Sequence, residues 1–99
     1  MEKKKCIVRC DRAGVFFGII TRQENTPAGV IVEMTECRRL WYWNGAASLS
    51  QMALEGVKRP RECKFTAPVS QLTLIGVIEI IPCTDEAIEN LNAVAVWSV

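Results

Sequence analysis

The residues best suited to chemistry lie in one stretch, Arg38-Arg39-Leu40-Trp41-Tyr42-Trp43-Asn44-Gly45-Ala46-Ala47-Ser48-Leu49-Ser50-Gln51. On a strand, side chains alternate between faces, so Arg39, Trp41 and Trp43 share one face and Arg38, Leu40 and Tyr42 the other. Each face then carries an arginine and at least one aromatic ring. Arginine offers a planar fork that matches phosphate, and an indole offers a surface on which a base can stack. The strand runs directly into a stretch with helical periodicity over 46–55, whose first turn is Gly45, Ala46, Ala47 and Ser48. Small residues at a helix start leave its free N–H groups open to an anion. These are the parts of a nucleotide site, with Arg39 as the primary cation and Trp43 as the stacking ring. Arg38, or Arg59 and Arg61 in the basic loop at 58–64, supplies a second cation. The same residues have a structural use. Trp41 and Trp43 can equally fill a core, and Gly-Ala-Ala is what close helix–sheet packing requires.

Catalytic chemistry finds little support. The chain contains no histidine, which removes the commonest general base and the commonest zinc ligand. The carboxylates are scattered and form no paired motif. No enzyme activity, metal site or cofactor is therefore expected. The five cysteines, at 6, 10, 37, 63 and 83, are odd in number and lack the spacing of a disulfide framework or zinc site. Cys6 and Cys10 would lie about 13 Å apart along one strand face. Reduced, partly buried thiols are expected.

The elements that must position these residues follow from patterning. Lys5 to Cys10 reads as a strand, Asp11 to Gly14 as its turn, and Val15 to Ile20 as the second strand of a hairpin. Residues 23–29 read as a loop. Residues 30–43 form a long strand bent near Thr35, Glu36 and Cys37, where the alternation falters. The helix over 46–55 stops at Gly56. Residues 57–64 make a basic loop containing Pro60, and 65–69 form a short extended piece. Leu72 to Ile81 is the strand expected to be most buried, stopped by Pro82. Thr84 caps a second helix that runs to Asn92, with Asp85 and Glu86 in its first turn. Residues 93–99 close as a final strand carrying Trp97. The order is about β-β-β-α-β-α-β, an α+β fold with a mainly antiparallel sheet and two short helices.

Residues 1–99 are expected to form a single domain. With 49% hydrophobic residues, the composition argues against disorder. No apolar run approaches the ~18 residues of a membrane span, and the N-terminus lacks the pattern of a signal peptide. A cytoplasmic location is expected. The net charge of +1 gives no field that would draw in nucleic acid. Exposed apolar surface on so short a chain points to a homo-oligomer.

The chain resembles a family of small proteins encoded by phages and prophages. The matching pieces are Ala13-Gly14-Val15-Phe16-x-Gly18, the long motif from Arg38 to Gln51, Lys64-Phe65, Val77-Ile78-Glu79-Ile80-Ile81 and Val96-Trp97. The resemblance implies a phage origin, hence the cytoplasm of an infected bacterium, and no established activity. By analogy, small phage proteins without catalytic residues often resemble inhibitors of host defence, one class of which sequesters nucleotide-derived immune signals. The leading expectation is a non-catalytic binder of a phosphorylated small molecule, a cyclic oligonucleotide or ADP-ribose derivative. The alternative is a protein–protein module, blocking a host defence protein or serving as a minor phage assembly component.

Overall fold

A computed structural model describes residues 4–98. Its strands are β1 (Cys6–Cys10), β2 (Gly14–Thr26), β3 (Gly29–Tyr42), β4 (Lys64–Phe65) and β5 (Leu72–Pro82). Two helices accompany them, α1 (Leu49–Glu55) and α2 (Asp85–Asn92), with a single 3₁₀ turn at Pro60–Glu62. The fold is α+β with a mainly antiparallel sheet.

The sheet closes on itself. β1 pairs with β2 and with β5, β5 pairs with β3, and β3 pairs back with β2, all antiparallel. Closure removes most free edges, and it is achieved by bending β2 and β3. Near the bend the register shifts between Phe17↔Arg38 and Ile19↔Thr35. Glu36 there takes a left-handed φ of 49°. Gly18 lies opposite, and a Cβ on it would strike the Cys37 backbone. Glycine at 18 is thus what lets β2 and β3 cross so closely.

Alternation along the strands divides the core in two. Cys6, Val8, Cys10, Phe16, Val32, Met34, Cys37, Leu74 and Val77 fill the barrel. Ile7, Phe17 and Leu40 point outward, against Met52 and Ala53 of α1, Ala87 and Leu91 of α2, and Phe65. All five cysteines are free and buried. Burial pushes the Cys6 thiol up to about 11 and those of Cys37 and Cys83 up to about 12. These thiols are packing groups, not nucleophiles.

The helix-side layer is fastened by Arg38, which is only 4% exposed. Its Nε donates to Thr66 O (2.8 Å), Nη1 to Leu91 O (3.1 Å), and Nη2 to Phe65 O (3.3 Å) and Ala95 O (3.4 Å). Its guanidinium also lies over the Phe65 ring. Leu91 belongs to the last turn of α2, where a cation complements the helix dipole.

Several expected boundaries move. The segment over 23–29 is not a loop. β2 continues to Thr26 and turns through Pro27 and Ala28, with the Thr26 hydroxyl donating to Gly29 O and accepting from Ala28 N. The final strand over 93–99 reduces to one parallel bridge, Phe65↔Val96, beside a bond from Trp97 N to Phe65 O. Val99 falls outside the described residues. β5 is less buried than its composition suggests. At Gly76 (φ 86°) the register slips, and Ile75 and Ile78 face solvent. Other boundaries hold: Gly56 caps α1 with φ 80°, and the Thr84 side chain accepts from Ala87 N at the start of α2. Among the described residues no helix is long and apolar enough to cross a membrane.

Two outcomes are expected from this packing. Arg38→Met orphans buried carbonyls and should cost at least about 3 kcal/mol in urea unfolding, against under about 1 kcal/mol for Arg39→Met. The thiols are neutral in the fold well above their ordinary value of 9.0. Their contribution to stability is therefore complete below about pH 9 and lost as the pH rises toward the folded values. Under reductant, Cys37→Ala should lose less of its urea midpoint between pH 8 and 10.5 than the parent does.

Candidate functional site

Adjacent arginines on a strand point to opposite faces, and here the opposition separates two roles. Arg38 goes to the helix side as described. Arg39 goes to the other face and stays exposed, where its guanidinium lies 4.7 Å from the Phe16 ring centroid and its Nη1 donates to Ala13 O at 3.2 Å. Phe16 is its cross-strand partner on β2. The stacked ring and the carbonyl fix the guanidinium while leaving it exposed.

The pairing of β1, β2 and β3 sets the turn between β1 and β2 beside the far end of β3. Arg12 sits in that turn with a left-handed φ of 68°, followed by Gly14 at 106°. A bond from Asp11 N to Gly76 O (2.9 Å) ties the turn to β5. A non-glycine residue held in the left-handed region is strained, and such strain gathers at functional positions. Between turn and strand lies a cleft of about 370 Å³. Arg12, Gly14 and Val15 line one side, and Arg39, Trp41 and Trp43 the other. Among the described residues neither Arg12 nor Arg39 pairs with a carboxylate. Trp41 is 64% exposed, whereas Trp43 is half-buried and packs on the helix-side core. Two unpaired guanidinium groups and an open indole face can hold a phosphate and stack a planar ring.

Of the residues expected from sequence, Arg39 and Trp43 come together here. Arg38 does not, because its donors bind buried carbonyls. The helix start is partly taken up by its own side chains. α1 begins at Leu49, and Ser48 Oγ accepts from Gln51 N (3.1 Å) while Gln51 Oε1 accepts from Ala47 N (3.2 Å). This variant of the capping box takes up two of the N–H groups at the helix start, those of Ala47 and Gln51, with the chain's own side chains. Ala46 packs on the core. Gly45 (φ 97°) accommodates the loop, since a Cβ there would collide with the backbone of Lys58 and Arg59. Lys58 N donates to Gly45 O, and Asn44 Nδ2 donates to Glu62 Oε1. The basic loop thus packs on the turn that follows Trp43. Arg59 pairs with Glu62 at 3.7 Å, and neither Arg59 nor Arg61 lines the cleft.

Sequence reasoning missed Arg12, and of the two tryptophans on the face of Arg39 it chose Trp43 rather than Trp41 as the stacking ring. Arg12 read as part of a tight turn, and only strand pairing reveals that this turn faces the end of β3. Among the described residues no three Cys, Asp or Glu side chains converge to hold a metal ion.

Ser48→Ala removes the cap and should cost about 1 kcal/mol. It should leave phosphate affinity unchanged by calorimetry, which separates the capped helix start from the cleft.

A family model described as a domain of unknown function, DUF6948, matches residues 3–91. No curated protein and no solved structure matches the chain.

Proposed function

The chain belongs to this DUF6948 family, and we propose that it is a non-catalytic protein that binds a phosphorylated, nucleotide-derived small molecule in the cleft between the β1–β2 turn and the end of β3. One observation carries the reading: Arg12 and Arg39, without acidic partners among the described residues, flank the same cleft as the exposed indole of Trp41. Arg39 holds the phosphate, because its guanidinium is already fixed by Phe16 and Ala13. Arg12 closes on the phosphate from the turn. Trp41 stacks the base, and Trp43 forms the floor. A site whose groups are held before the ligand arrives loses less entropy on binding.

The resemblance to phage-encoded proteins extends this reading to sequestration. In it the ligand is a cyclic oligonucleotide or ADP-ribose-type immune signal of the infected bacterium, and binding it blunts the host's defence. A second reading, a protein-interaction module, draws on Ile75 and Ile78, which β5 exposes to solvent. The same surface supports a homo-oligomer.

Calorimetry with a panel of cyclic nucleotides and ADP-ribose derivatives tests the first reading. The bound nucleotide should be recovered unchanged after heat denaturation. Arg39→Ala and Arg12→Ala should each weaken binding roughly ten- to a hundredfold, the effect of truncating a charge-assisted contact. Trp41→Ala should do likewise through lost stacking, worth about 1–3 kcal/mol. Normal melting with parental affinity in all three variants overturns the placement. A protein that ignores the whole panel favours the interaction module.

A further inference from the structure

A second cleft, of about 310 Å³, opens where the C-terminal tail crosses the bend of β3. Three charged side chains line it: Lys5, Glu36 and Arg38. Each has hydrogen-bonding capacity that the described protein does not use. The Lys5 ammonium has three donors, and the one bond found for it runs to Asn92 Oδ1 at 2.7 Å. Arg38 has five N–H groups and gives four of them to carbonyls, with one Nη1 hydrogen left over. Among the described residues Glu36 makes no ion pair, and no hydrogen bond involves its carboxylate. Glu36 is also the bulge residue, held at φ 49°. Bulges re-aim side chains, and this one sets the exposed Glu36 at the rim of the cleft. Asn92, which accepts from Lys5, also lines the cleft, and the rest of the wall is apolar: Pro68, Val94 and Val96.

We propose that this cleft is a binding site for a small zwitterion of the α-amino-acid class. The ligand's carboxylate meets the unused donors of Lys5 and Arg38. Its ammonium meets Glu36, and an aliphatic side chain lies on Val94, Val96 and Pro68. A simple anion would gain from the two cations but face Glu36, and a simple cation would face Lys5 and Arg38. Only a ligand carrying both charges answers all three. The site is separate from the Arg12–Arg39 cleft and does not depend on what that cleft binds.

Isothermal titration of the full chain with L-leucine tests the proposal, with acetate and methylammonium as single-charge probes. Leucine should bind with a dissociation constant below about 10 mM, and each single-charge probe at least roughly tenfold more weakly. The variant Glu36→Gly separates binding from folding. Its left-handed φ suits glycine, so the melting temperature should hold or rise while leucine affinity falls roughly tenfold or more. Glu36→Gln and Lys5→Met should lose affinity by the same factor without loss of fold. Absence of leucine binding overturns the proposal, and so does parental affinity in the Glu36 variants.

Discussion

The arrangement rests on one buried cation. Arg38 draws carbonyls from three separate stretches: Phe65 and Thr66 beside β4, Leu91 at the end of α2, and Ala95 in the tail. Burial lowers its proton affinity, yet an arginine stays charged in a protein. Losing any one of those carbonyls would leave a desolvated charge less well bonded. The tail, with one bridge to the sheet, is thereby held across β3 although it never becomes a strand. With Arg38 fixed on the helix side, strand alternation turns Arg39 to the opposite face, over Phe16, beside the turn that carries Arg12. The protein's most buried arginine thus determines where its candidate ligand-binding arginine points.

The second constraint is the closed sheet. A ring of so few strands closes only if its strands bend sharply, and the bend falls where Gly18 faces Glu36 and Cys37. The bend brings the β1–β2 turn against the end of β3 and so creates the first cleft. It also puts Glu36 in a left-handed conformation at the edge of the second. Both clefts follow from the same closure, one at the turn end of β3 and one at its bulge.

Much of the fold was legible because local chemistry determines it. The faltering alternation at Thr35–Cys37 marked the bend, Gly56 the end of α1, and Thr84 with two acids the start of α2. What was illegible depended on partners distant in sequence. Ser48 and Gln51 form a capping pair, but the preceding Gly-Ala-Ala also suits a helical first turn, so α1 was started too early. β2 extends through a polar segment, Arg22 to Thr26, because β3 pairs with it and not because its own residues favour a strand. Arg38 and Arg39 look alike in sequence, and only the carbonyls that converge on Arg38 tell them apart. Strand alternation put Arg39, Trp41 and Trp43 on one face, and all three line the first cleft. Arg12 was not legible, because a turn gains meaning only from what folds beside it.

The central claim is that a nucleotide's phosphate and base sit between Arg12, Arg39 and Trp41. The most direct measurement is the proton–nitrogen spectrum of the three indole N–H groups, assigned with single Trp→Phe variants, during titration with a cyclic dinucleotide. The account predicts the largest shift at Trp41, a smaller one at Trp43, and none at Trp97, which lies under Lys64 at the tail. A saturable shift confined to Trp97, or binding that moves none of the three, would contradict it.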